Sequence, residues 1–181
     1  MATLEQVREL MGKMHEERGQ LFAALKDMPE ERAIQANPEL DGEDGWSVKE
    51  ILVHVGQMEI TYRGWVHRAL TEDRPDLGVR PSSAPAPETP HYLTGANDRS
   101  MLELLRNLET IRSETMALYA TIPLEDFERT AKLDLFGELT AMQWMRSHYR
   151  HDRQHWAQIL GRESEYAPRY LNGGEPDQRR S

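Results

Sequence analysis

Seven histidines, at positions 15, 54, 67, 91, 148, 151 and 155, are the side chains of this 181-residue sequence best suited to chemistry. Three of them crowd into Ser147-His148-Tyr149-Arg150-His151-Asp152-Arg153-Gln154-His155. On a helix turning about 100° per residue, with His148 at the origin, His151 falls at about −60° and His155 at about −20°, so all three share one side. They border the apolar stripe, where a side chain can touch both the core and a cavity. His148 and His155 stand roughly 10 Å apart along the axis, whereas two nitrogens on one zinc lie only about 3.3 Å from each other. That spacing disfavours the outer pair. His151 and His155, at i and i+4, have the separation by which two helical histidines chelate one ion. His148 with His151, at i+3, is the second choice.

A catalytic zinc takes three protein ligands and keeps a position open for water or substrate, so a third imidazole is needed. His54 is the candidate, on the edge of another apolar stripe and about 10 Å inside its helix. Three neutral imidazoles leave the ion its full charge, which favours hydrolysis by an acidified water. The same open position suits binding and deprotonation of a low-molecular-weight thiol, hence S-transfer or thiol-assisted isomerisation. Asp152 falls inside the apolar arc, where a carboxylate must be paired. It is an acceptor behind an imidazole N–H, a further ligand, or the partner of an arginine on a neighbouring helix. Glu59 reads as a rim or interface residue, and Arg150 and Arg153 as solvated or dimer contacts.

The sequence has no cysteine, so it makes no disulfide, zinc finger or iron–sulfur cluster, and any reacting thiol comes from a second molecule. Its 22 Lys and Arg against 31 Asp and Glu give a net charge of −9, which argues against nucleic-acid binding. No apolar run approaches the ~20 residues of a membrane span, and the N-terminus has no signal-peptide pattern. The expectation is a cytoplasmic protein acting on a small molecule.

The elements that must hold these residues are four amphipathic helices. Leu4, Val7, Met11, Met14, Leu21, Leu25 and Met28 mark the first, over about 3 to 28, with Arg18 interrupting the stripe. Residues 29–45 read as a loop. Trp46-Ser47-Val48-Lys49-Glu50 opens the second helix with a capping box, and its stripe runs to about residue 72. Five prolines between Arg74 and Pro90 indicate an extended crossover. The third helix starts at Asn97 or Asp98 as N-cap and ends before Pro123. After a β-branched passage from Thr130 to Phe136, the fourth runs from Thr140, with Gln143 in the capping-box position, to about Gly161. The simplest assembly is an all-α, up-down four-helix bundle over residues 1–162 with long crossovers, followed by a partly flexible tail, 163–181.

These motifs make the sequence similar to the DinB/YfiT-like superfamily of four-helix-bundle proteins. The resemblance covers roughly residues 3 to 162 and rests on Trp46 to His54 opening the second helix and on His151-Asp152-Arg153-Gln154-His155, followed by Ala157-Gln158-Ile159, in the fourth. It implies a divalent ion, zinc or nickel, held by His54, His151 and His155, with His148 an extra histidine beyond the family pattern. Some relatives of this type are thiol-dependent isomerases or S-transferases, and a homodimer is common among them. A non-catalytic stress-related or ligand-binding bundle is the alternative expectation.

Overall fold

The computed structural model describes residues 2–78, 91–168 and 173–180. Four long helices dominate it: α1 (Leu4–Leu25), α3 (Val48–Thr71), α4 (Met101–Tyr119) and α5 (Ala141–Ile159), with a single-turn α2 (Glu30–Ala33) between the first two. None of the helices among the described residues is long and apolar enough to cross a membrane. Three of the four start at a capping box, Thr3 with Gln6, Ser47 with Glu50 and Thr140 with Gln143, so two of the four orphaned amides at each start are satisfied locally. The N-cap of α4 is Ser100, three residues past Asn97. Asn97 and Asp98 lie instead in a 3-10 turn, and Asn97 Oδ1 accepts from the Ser47 hydroxyl at 2.8 Å, fastening the approach to α4 onto the start of α3.

Two apolar clusters fix the directions of the helices. One gathers Leu21 and Leu25 at the end of α1, Ile51 and Leu52 at the start of α3, Met101 and Leu104 at the start of α4, and Ile159 at the end of α5. The other gathers Val7 and Leu10, Val66, Tyr119, and Ala141 with Trp144 from the opposite ends. The chain therefore runs up, down, down, up. α5 packs against α1 and α3, and α3 also against α4. Because α3 and α4 are parallel, the connection between Glu72 and Ser100 must return the chain along the bundle. The extended crossover expected over residues 74–90 lies outside the described residues from 79 onward.

Each of the four long helices contributes one charged side chain to a central cluster. Arg18 of α1 reaches Glu59 of α3 at 2.6 Å and Asp152 of α5 at 2.9 Å, and Arg112 of α4 reaches the same carboxylates at 2.8 Å each. All four residues are buried. The two arginines also close the gap between α1 and α4, whose backbones come less close: Arg18 donates to the Leu108 carbonyl at 3.0 Å, and Arg112 donates to the carbonyl of Met14.

The passage after α4 forms a hairpin, β1 (Thr130–Leu133) with β2 (Gly137–Thr140), so the extended segment expected before Gly137 has a partner after it. Gly137 takes a φ of 77°, which supplies the left-handed turn residue the hairpin needs. The segment expected as a frayed tail is paired where it is described: β3 (Tyr166–Pro168) lies antiparallel to β4 (Asp177–Arg179), and the Arg180 amide donates to the Glu165 carbonyl at 2.9 Å. Arg150 and Arg153 dock it. Arg150 pairs with Glu175 and donates to the Asp177 carbonyl at 2.8 Å, and Arg153 bridges Glu165 at 2.9 Å and Glu17 at 3.2 Å. Neither is simply solvated.

Candidate metal centre

The antiparallel neighbours α3 and α5 bring the start of one helix beside the end of the other. His54, in the second turn of α3, thereby faces the last two turns of α5. Its Nε2 lies 3.0 Å from Nε2 of His151, and Nε2 of His155 lies 3.1 Å from the same atom. All three nitrogens are within 4.8 Å of one another. The i, i+4 pair and the third imidazole from the other helix thus lie together. All three rings are buried, whereas His15, His67 and His91 are exposed.

The proton inventory of the cluster shows what it can accept. Gln158 donates through Nε2 to the Glu43 carbonyl at 2.6 Å, so its Oε1 is the atom 2.8 Å from His155 Nδ1. That nitrogen must carry the proton, which leaves His155 Nε2 as a bare lone pair. Burial holds the His54 imidazole down at about 3 and the His155 imidazole at about 4, and lowers His151 well below the ordinary histidine range; in each case the burden of a charge away from water is the main cause. All three are neutral near pH 7. If His151 Nε2 donates to His155, it has no hydrogen left for His54. If it accepts from His54, then two lone pairs face each other across 3.1 Å. A cation among the three nitrogens removes this conflict, and their separations are within a few tenths of an ångström of the about 3.3 Å that ligands of one zinc adopt. The donor set fits a divalent ion.

The outer nitrogens are oriented from behind. His54 Nδ1 lies 2.7 Å from the Tyr92 hydroxyl, in the segment that leads into α4, and the Trp46 ring packs on His54 with centroids 5.0 Å apart. Such partners fix the ring plane and tautomer of a ligating imidazole. Trp46 precedes the capping box, so the motif that starts α3 also walls the site. Glu43, in a 3-10 turn over Gly42–Gly45, puts Oε1 3.7 Å from His54 Nε2. Burial and the neighbouring Asp44 push its carboxyl above the usual range.

Two expectations are corrected. His148 does not join the cluster: its Nε2 is 2.7 Å from the Tyr119 hydroxyl, deeper in the bundle, and its Nδ1 has no hydrogen-bond partner. Asp152 is neither behind an imidazole nor among the converging nitrogens; it is the arginine-paired carboxylate, bound by Arg18 and Arg112. Glu59, expected at the rim, is buried in the same group. Burial alone would raise its carboxyl, and Arg112 and Arg18 overturn this, holding it down at about 2. Arg18 and Arg112 were not singled out as partners, and neither were Tyr92, Glu43 and Gln158 as neighbours of the site. For the arginines the sequence carries a signal: each occupies a position where its helix's apolar stripe continues, between Met14 and Leu21 in α1 and between Leu108 and Tyr119 in α4.

A bundle running up, down, down, up, with three imidazoles gathered where α3 meets α5, defines the class, and the chain belongs to the DinB superfamily, whose pattern it matches over residues 13–159. Among curated proteins it is similar to YuaE of Bacillus subtilis strain 168, an uncharacterized protein, at 27% identity over 157 residues, 82% of this chain and 94% of YuaE. Among solved structures it is similar in fold to YfiT of Bacillus subtilis, with a TM-score of 0.72 at 18% identity, covering 89% of this chain and 87% of that one. YfiT is described as a probable metal-dependent hydrolase with an unusual four-helix bundle topology.

Proposed function

We propose that the protein is a divalent-metal-dependent hydrolase whose ion, of the zinc or nickel type, is held by His54, His151 and His155. One observation carries this reading: three buried, neutral imidazole nitrogens approach to 3.0 and 3.1 Å in an arrangement that no placement of their protons satisfies. The description of YfiT as a probable metal-dependent hydrolase, on the same fold, supports it. When bound, the ion supplies Lewis acidity and brings the pKa of a water at its open position to near neutrality.

The remaining work falls to the chain. Tyr92 and Gln158 hold the His54 and His155 rings so that Nε2 of each faces inward. Trp46 covers one side of His54 with apolar surface, which limits the water that reaches the imidazoles. The Arg18–Glu59–Arg112–Asp152 group, one turn beyond His54 on α3 and beside His151 on α5, keeps those helices in register. A second reading, transfer to or from an imported low-molecular-weight thiol, is favoured by the complete absence of cysteine.

The test is metal analysis of tag-free protein together with hydrolysis of a panel of activated esters and amides, with and without added thiol. About one divalent ion per chain is expected, with loss of both ion and hydrolysis in His155→Ala. Activity that appears only with added thiol selects the second reading. Metal-free protein that zinc and nickel leave unchanged overturns both, in favour of a non-catalytic bundle.

A further inference from the structure

We infer that Glu43 decides which ligands can take the position left open by His54, His151 and His155: it turns away bare anions and admits neutral molecules that offer a hydrogen, such as water or an alcohol. This rests on the metal-binding reading above. Glu43 Oε1 lies 3.7 Å from His54 Nε2, farther than the about 3.3 Å between two ligands of one zinc, and it stands outside the group of atoms within 4.8 Å of one another. Its carboxylate therefore stands apart from the three converging nitrogens while facing the same side of His54, where it can accept a hydrogen from a ligand of the ion. It is not matched by a cation: among the described residues, no lysine or arginine pairs with it.

The turn that carries Glu43 is fixed rather than draped over the site. Its carbonyl accepts from Gln158 Nε2 at 2.6 Å and from the Trp46 amide at 3.3 Å, tying the turn both to the helix of His155 and to the start of the helix of His54. The turn is closed at its base, where the Asn37 amide donates to the Gly45 carbonyl at 2.8 Å. At Gly45 an added Cβ would fall 2.4 Å from the Leu40 carbonyl oxygen, so the turn has room only for glycine there. The carboxylate is thus a built part of the mouth of the site. A negative charge within about 4 to 6 Å of an incoming anion, at the dielectric of a partly exposed site, weakens its binding by about tenfold or more. A neutral ligand escapes that penalty, and one whose coordinating atom carries a hydrogen also gains an acceptor. The substrate class this favours presents a neutral group that carries a hydrogen, such as a hydroxyl, rather than a free carboxylate or phosphate, to the ion.

The experiment uses the full chain loaded with cobalt(II), whose visible absorption reports occupancy of the open position. Azide, an anion, and imidazole, a neutral ligand, are titrated into the wild type, Glu43→Gln and Glu43→Ala. Azide is expected to bind at least about tenfold more tightly to both variants, while imidazole affinity stays within about twofold. Unchanged azide affinity overturns the inference, as does equal tightening of both ligands, which would mean steric relief. If cobalt fails to bind the wild type, the metal reading itself falls and the inference falls with it; cobalt binding with unaltered azide affinity sinks the inference alone.

Discussion

A buried imidazole stays neutral because its charged form would lose its water, and His148 bears this cost outside the cluster. Burial is the largest cause holding it down at about 3, although Glu59 and Asp152 nearby favour its charged form. In the unfolded chain the same group titrates near about 6.5. Between those values the unfolded state binds more protons, so stability rises with pH and is lost as pH falls from about 6.5 toward about 3. His148→Gln removes this group while keeping an amide to meet the Tyr119 hydroxyl. Urea unfolding of the metal-free variant from pH 4.5 to 7 is expected to show a slope shallower by up to about 1.4 kcal/mol per pH unit than the wild type. An identical slope would show that His148 is not buried neutral. The contrast between the histidines also shows what residue spacing conveys. A helix is rigid, so the i, i+4 relation of His151 and His155 fixes their common direction. The wheel of a single helix cannot say which charge waits on the facing one, so Asp152 was open among three partners until Arg18 and Arg112 were placed.

At the scale of elements, local chemistry was easy to read and pairing was not. The capping boxes at Ser47 and Thr140 are four-residue signals, and both helices begin where those signals fall. The helix of Asn97 and Asp98 begins later because Asn97 is drawn into a bond with Ser47, a contact fifty residues away in sequence. The strand that begins at Gly137 and those of the C-terminal segment have nearer partners, but the residues of one strand alone do not name the other. The pairing of Arg112 carries the clearest prediction here. Arg112→Met removes one guanidinium and leaves Glu59 and Asp152 buried with one cation between them; the expected loss is about 3 to 5 kcal/mol by denaturant unfolding. Replacing all four charged residues with apolar ones of similar volume is expected to cost far less, because nothing is then left unpaired. A single variant with wild-type stability would mean that water reaches this group.

For the whole molecule, the sequence conveyed the class, since four apolar stripes need each other. It did not convey that α3 and α4 run the same way, which depends on where a connection lands rather than on its composition. A molecule that gathers ligands only in its folded form is stabilised by the ion it gathers. Zinc or nickel at about 100 times its dissociation constant adds about 2.7 kcal/mol. For a chain of this size that is a rise of roughly 5 to 10 °C in Tm, measured by calorimetry, and it is expected to vanish in His155→Ala. An equal rise in the variant would place the stabilising ion elsewhere. The ring of Arg18, Glu59, Arg112 and Asp152 has a last consequence, for how the bundle assembles. Each helix owns one member, so a chain with three helices docked and one free would hold an odd charge in its interior. Partly built bundles are penalised whichever helix is missing, and the ring acts as a check for completeness that favours folding in one concerted step.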